Sequence, residues 1–367
     1  MKNLSKKIIC IVGTRPEAIK MAPVILALHE QPWAEVKVLV TAQHRGMLDQ
    51  ILREFSIIPD FDLNVMQPNQ SLSALTGRLL IDLEKVLKAE MPDVVLAQGD
   101  TTTVLAAAMT CFYAGIAFGH VEAGLRTGDM HTPFPEEFNR VVVGKLAKWH
   151  FTPTPLSAQN LLVEGTPESQ IHITGNTVID ALQYIAAQDS LRPEEYERKV
   201  ILVTAHRREN FGEAFRNICT AIRTLAIRNL NVDVIFPVHP NPNVKATAHE
   251  LLSGIQNISL IEPLGYREFI HTMNRCHLIL SDSGGVQEEA PALGKPVLVL
   301  RSSTERPEAV EAGCVRLVGN NTENIIKETE LLLNDSQAYR KMAKGTSPYG
   351  DGNAASRIIA ILQEHLS

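Results

Sequence analysis

The chain is expected to fold as an α/β protein of two Rossmann-like, doubly wound parallel-sheet domains. Short apolar, β-branched runs alternate with longer helical stretches along its whole length. The runs are apolar throughout rather than alternating, as strands buried on both faces of a parallel sheet are. At 367 residues the chain is too long for one ordinary core.

In order, the strand candidates of the first half are IICIV (8–12), VKVLV (36–40), VVLA (94–97), IAFGHV (116–121) and HIT (172–174). Helical patterns such as SLSALTGRLLIDLEKVLKAE (71–90) lie between them. The alternation pauses at AQDSLRPEEYERK (187–199), a polar stretch that suits an interdomain boundary, and GNTVIDALQYIA (175–186) before it reads as a connecting helix. The second half restarts with VILVT (200–204) and continues through VDVIFPV (232–238), ISLI (258–261), LILS (278–281) and PVLVL (296–300). We therefore place one domain at 1–175 and a second at 176–352, with the last helix, about 353–367, free to return to the first.

A net charge of -6 without blocks of like charge argues against nucleic acid as a partner. No apolar run is long enough to span a bilayer, and the short run at the N-terminus leads into a polar segment rather than a cleavage site. Five scattered cysteines without C-x-x-C read as reduced core thiols of a cytoplasmic protein.

The polar residues gather where strands end. Thr14, Arg15 and Lys20 follow the first strand, Asp100 follows VVLA, Glu122 follows IAFGHV, His206 to Arg208 follow VILVT, His239 follows VDVIFPV, and Asp282 to Gly285 follow LILS. Ligands of open parallel sheets sit at the carboxyl ends of strands, so this pattern predicts a ligand cleft between the domains. In SDSGGVQEEA, Gly284, Gly285 and Ser283 could hold an anion at a helix start, with Glu289 accepting from ribose hydroxyls; equally, Ser283 or Asp282 could merely cap the helix. Arg15 and Lys20 in GTRPEAIKMAP suit a diphosphate, or form a solvated pair. Asp100 and Glu122 can share acid and base work, although Asp100 could instead cap the helix at Thr101; His120 reads as structural. No His/Cys/Asp spacing indicates a metal site. There is no G-x-G-x-x-G, no G-x-x-x-x-G-K-[ST] and no G-x-S-x-G, which disfavours a bound NAD, a P-loop nucleotidase and an α/β-hydrolase elbow.

The strings GTRPEAIKMAP, TAQHRGMLDQ, GDTTT, GHVEAGLRTGD, PFPEEFNR, TGNTVIDAL, AHRREN, DSGGVQEEAPALGKPVLVLR, TERPEAVEAG and SPYGDG resemble, in fixed order, the non-hydrolysing UDP-N-acetylglucosamine 2-epimerases. The resemblance runs from about Ile8 to the last helix. It implies a GT-B-type pair of domains with the active site in the interdomain cleft, a homodimer, and reversible conversion of UDP-N-acetylglucosamine to UDP-N-acetylmannosamine without NAD. The C2 hydrogen is not next to a carbonyl, so elimination of UDP to a 2-acetamidoglucal, followed by re-addition, is the redox-free route. Carried over by motif, Asp100, Glu122, Glu136 and His206 form the catalytic set. Arg15, Lys20, Ser283, Gly284 and Gly285 hold the diphosphate, Glu289 the ribose, and Phe269 and the backbone near Leu264 the uracil. Arg140, one turn after Glu136, pairs with it or with phosphate. Gln43, Gln70, Arg207 and His239 match a second UDP-N-acetylglucosamine site that activates some bacterial members, whereas Gly46 and Asn69 depart from that pattern. The product would feed cell-envelope polysaccharide. A hydrolysing relative releasing N-acetylmannosamine and UDP, a glycosyltransferase, and a non-catalytic nucleotide-sugar sensor are the competing readings.

Overall fold

The structure, a computed structural model, describes residues 5–41, 45–67, 70–188, 198–304, 306–345 and 347–366. The chain divides into two compact units, Met1–Gln183 with Tyr349–Ser367, and Tyr184–Pro348. The first holds a parallel sheet of seven strands: β1 (Lys6–Val12), β2 (Ala34–Val40), β3 (Phe61–Asp62), β4 (Val94–Gln98), β5 (Ala117–Val121), β6 (Trp149–Thr152) and β7 (Ile171–Ile173). Their order is β3-β2-β1-β4-β5-β6-β7. The second unit holds six parallel strands: β8 (Lys199–Thr204), β9 (Val232–Pro237), β10 (Ile258–Ile261), β11 (Leu278–Ser281), β12 (Val297–Val299) and β13 (Val315–Leu317), in the order β10-β9-β8-β11-β12-β13. Both sheets are doubly wound, and their order reverses between β1 and β4 and between β8 and β11. A crevice opens at the carboxyl ends of strands at such a reversal.

The helices bury their apolar stripes against these sheets. Leu75, Leu79, Leu83 and Leu87 recur every four residues on Leu72–Glu90 and are all buried. Phe215, Ile218, Ile222 and Leu225 recur every three or four residues on Glu213–Arg228 and are likewise buried. Both patterns are the one-faced periodicity of a helix laid on a sheet. All five cysteines are buried and none forms a disulfide, in keeping with core thiols.

Three strands have no counterpart among the apolar runs read from sequence. β6 is Trp-His-Phe-Thr, fully buried yet without an aliphatic residue. β13 is interrupted by Arg316, whose guanidinium pairs with Glu328. β3 is two residues long.

The domain boundaries also differ from those expected. The first unit extends past 175 to Gln183, and the chain re-enters it at Tyr349 rather than at 353. Asp180, on the helix Thr177–Gln188, accepts the N–H groups of Ala354 at 3.2 Å and Ala355 at 2.8 Å. That bond pair holds the final helix, Ala354–Leu366, to the first unit. Most of the proposed linker, 189–197, lies outside the described residues.

One glycine is dictated by packing at the first switch point. A Cβ on Gly13 would lie 2.6 Å from Thr103 Oγ1 and 2.8 Å from Thr41 Oγ1, two hydroxyls that bond each other at 3.0 Å.

His120 and His150 are register partners on β5 and β6 and are 1% and 0% exposed. Burial lowers them from the usual 6.5 to about 4 and about 3 respectively. Both stay neutral in the folded chain while the unfolded chain takes up protons below about pH 6.5. Their contribution is therefore complete above that pH and is lost as pH falls toward 4, at about 1.4 kcal/mol per unit for each histidine. Glu17, raised by burial to about 7, acts in the opposite sense between pH 4.5 and 7. The urea midpoint of His150→Phe is thus expected to fall less steeply between pH 6.5 and 4 than that of the parent chain; parallel curves would refute it.

Candidate active site

In the first unit, side chains from the ends of β1, β4 and β5 converge. Thr14 caps the helix Arg15–His29, and Glu17 completes a capping box, with Pro16 in the first turn. Glu17 accepts from Gly13 N at 2.6 Å, from Thr14 N at 2.8 Å and from Thr101 Oγ1 at 2.5 Å, so it ties the turn after β1 to the turn after β4. Arg15 opens the helix half-buried. Lys20, one turn on, is ion-paired with Glu122 at 2.5 Å. Its expected place on a diphosphate is therefore taken, in this structure, by a carboxylate.

Glu122 follows β5 at φ 62°, a left-handed conformation that non-glycine residues adopt rarely. It is 8% exposed, and besides Lys20 it accepts from the side-chain amides of Gln98 and, at 2.8 Å, Asn176. Asp100 does not cap the next helix; Thr101 does, accepting from Val104 N. The Asp100 carboxylate instead receives Arg140 Nη1 at 2.8 Å. Burial raises Asp100 above the ordinary carboxylate value; Arg140 and Lys20 oppose this, and the charges of Glu122 and Glu136 add to it. Those electrostatic partners place Asp100, Glu122 and Glu136 in one neighbourhood. Glu136 opens the helix Glu136–Leu146, half-buried.

Arg140 is not paired with Glu136. Its Nε donates to Glu137 at 2.9 Å, and Glu137 also accepts from Thr127 N and Gly128 N, each at 3.0 Å. Arg140 is only 8% exposed, so it positions Asp100 rather than standing open to phosphate. His120 is structural, its Nε2 2.7 Å from the Gly99 carbonyl.

In the second unit, Asp282 at the end of β11 is fully buried. It accepts from His206 N at 2.9 Å, Arg207 N at 2.9 Å and Asn210 Nδ2 at 3.0 Å, and so shapes the turn after β8. His206 Nδ1 lies 3.6 Å from Asp282 Oδ1, and the ring stacks on His239 at 5.5 Å between centroids. Burial lowers the His206 pKa, and the nearby Asp282 charge resists that shift. The helix Gly284–Ala292 begins after Ser283 with no side-chain cap. A Cβ on Gly284 would be 3.6 Å from Arg207 Nη2 and 3.8 Å from Arg306 Cζ. An uncapped helix N-terminus with guanidinium groups nearby has the charge and free N–H groups to receive an anion. Glu288, on this helix, is ion-paired with Arg306, which precedes the helix Pro307–Glu311, and Glu289 beside it is buried. Leu264 and Phe269 are half-buried at the start of the helix Tyr266–Arg275.

The residues expected at a second ligand site are divided. Gln43 lies outside the described residues. Gln70 belongs to the first unit, where its side-chain oxygen accepts from Arg78 at 2.8 Å. Arg207 and His239 belong to the second. Sequence reasoning passed over Gln98, Asn176, Glu137, Glu17 and Arg306. Only Glu17 had a local signal, the T-x-x-E of its capping box. The others act through contacts to residues distant in sequence. Among the described residues, no group of three or more His, Cys, Asp or Glu side chains is placed to hold a metal. No described helix is long and apolar enough to cross a membrane.

Buried carboxylates beside a lysine at one switch point, and a cation-flanked helix N-terminus at another, are the equipment of α/β enzymes that move protons on phosphorylated substrates. The chain belongs to the UDP-N-acetylglucosamine 2-epimerase family, whose profile matches residues 26–363. It is 52% identical over 371 residues to the UDP-N-acetylglucosamine 2-epimerase of Escherichia coli O157:H7, across 98% of this chain and 99% of that one. It superposes on the UDP-GlcNAc 2-epimerase of Neisseria meningitidis bound to UDP-GlcNAc with a TM-score of 0.89 and 49% identity, over 98% of this chain and 100% of that one. The Methanocaldococcus jannaschii UDP-GlcNAc 2-epimerase in complex with UDP-GlcNAc and UDP matches at TM-score 0.80 and 36% identity, over 98% of this chain and 99% of that one.

Proposed function

We propose that this chain interconverts UDP-N-acetylglucosamine and UDP-N-acetylmannosamine by the non-hydrolysing route, eliminating UDP to a 2-acetamidoglucal and adding it back. The observation that carries this reading is the contrast between two neighbouring carboxylates. Glu122 accepts from an ammonium and two amides, which favours its ionised form. Asp100 is raised above the ordinary carboxylate value by burial, against the pull of Arg140 and Lys20. Two carboxyl groups in such different surroundings can divide base and acid work. Glu122 removes the C2 proton of one epimer, and Asp100 returns a proton on the other face; the roles exchange in reverse. Glu136 orients the sugar or relays a proton.

His206 supports the departing diphosphate. With Nδ1 directed at Asp282, Nε2 is the nitrogen left for the leaving oxygen. Arg15, Ser283, Gly284 and Gly285 hold the diphosphate, joined by Arg306. Glu289 takes the ribose, and Phe269 and the backbone near Leu264 take the uracil. Elimination and re-addition balance without a redox cofactor, so none is invoked. In this reading Gln43, Gln70, Arg207 and His239 serve an activating second UDP-N-acetylglucosamine. The enzyme works as a cytoplasmic homodimer and supplies N-acetylmannosamine units to envelope polysaccharide. The names and bound ligands of the relatives support the substrate class.

Proton NMR of the chain with UDP-N-acetylglucosamine in deuterated water tests the reading. The expected product is UDP-N-acetylmannosamine carrying deuterium at C2. Free N-acetylmannosamine with UDP would establish the hydrolysing branch instead, and an unchanged sugar would refute both.

A further inference from the structure

Asn176 lies between β7 and the helix Thr177–Gln188 and is 2% exposed. Three of its polar groups meet partners in three different parts of the chain. The side-chain oxygen accepts from Val178 N at 3.0 Å, capping the helix. The side-chain nitrogen donates to Glu122 Oε1 at 2.8 Å. The backbone N–H donates to the Tyr349 carbonyl at 2.6 Å, where the chain re-enters this unit. Aspartate or serine would cap the helix as well. Aspartate caps but cannot donate to a carboxylate, and a serine hydroxyl, although it can do both as Thr101 does toward Val104 N and Glu17, ends one bond nearer the backbone than the Asn176 amide nitrogen. Capping therefore does not account for asparagine here.

The re-entering segment is pressed directly onto this residue. Gly350 stands at φ 145°, and a Cβ there would lie 3.4 Å from Asn176 N and 3.6 Å from Gly175 Cα. Asp180 fixes the far end of the segment through Ala354 and Ala355. On the other side, Glu122 has a left-handed backbone and shares Oε1 with Lys20, a long flexible side chain that attracts a carboxylate without setting its direction.

We infer that Asn176 is a positioning residue for the epimerisation: it aims the Glu122 carboxylate and ties it to the segment Tyr349–Gly352, so that displacement of that segment reaches the base. The inference rests on Glu122 acting at C2 as proposed above. A misdirected base lowers turnover without weakening substrate binding.

Asn176→Asp keeps the size and the cap but sets one carboxylate against another. Its kcat with UDP-N-acetylglucosamine is expected to fall about 100-fold with KM changed by less than about threefold, and its Tm to fall because a second carboxyl is buried against Glu122. Asn176→Ser, which caps but is too short to reach Glu122, is expected to lose about tenfold in kcat, and it serves if the aspartate variant does not fold. Gly350→Ala, strained by its φ of 145° rather than by a clash, is expected to shift the segment and lower kcat severalfold. Wild-type kcat in the folded Asn176 variants, or a rise in KM alone, overturns the inference. Unchanged kcat in Gly350→Ala overturns the tie to the returning segment. Glu122→Gln is assayed alongside. If it is inactive while Asn176→Asp is normal, this inference alone has failed. If it turns over normally, the assignment of Glu122 has failed and the inference falls with it.

Discussion

Glu122→Gln is expected to lower both epimerisation and C2 deuterium incorporation by about 10³-fold, within the range by which a positioned acid or base accelerates proton transfer. The amide cannot accept the proton, and it turns a donor toward Lys20, Gln98 or Asn176, which are donors themselves. Asp100→Asn should be similarly impaired in turnover. The two differ in stability, because only Glu122 neutralises a largely buried lysine. NMR in deuterated water reads both exchange and epimerisation, and urea unfolding reads the rest. Exchange at C2 within tenfold of the parent chain in Glu122→Gln would mean that another group takes the proton.

Arg140→Met is expected to cost about 3–5 kcal/mol of stability, the usual cost of removing one partner from a buried ionic cluster. Glu137 is 1% exposed and would keep only the N–H groups of Thr127 and Gly128. Asp100 would lose the cation that opposes its raised pKa, so in the direction in which Asp100 is the acid the alkaline limb of the pH–rate profile should move to higher pH. Urea unfolding checks the first effect. In Arg140→Met/Glu137→Gln, part of the lost stability should return, because the uncompensated buried charge is gone. A single variant as stable as the parent would show that the cluster is solvated in solution.

Much of this architecture was legible in the chain because strands buried on both faces must be apolar throughout. β1, β4, β8 and β11, the central strands of the two sheets, are apolar except at their ends, and all were found. β6 escaped because burial can equally be achieved by Trp149, His150, Phe151 and Thr152. The domain boundary was misplaced because a connecting helix carries no local mark of the unit it packs on. Asp180 and its bonds to Ala354 and Ala355 span nearly half the chain.

The candidate site divides in the same way. Asp100, Glu122 and His206 stand out because charged or titratable residues directly after apolar strands have no role in a core. The chain by itself therefore determined the doubly wound class, the strand ends that carry chemistry and, through its motifs, the family. Which groups pair was decided only by tertiary structure. Lys20 lies on Glu122, Arg140 joins Asp100 to Glu137, Asp282 organises the turn at His206, and Asn176 holds the presumed base. The reason is physical. Whether a carboxylate accepts or holds a proton depends on its burial and on the donors within about 3 Å, and those donors come from elements far apart in sequence.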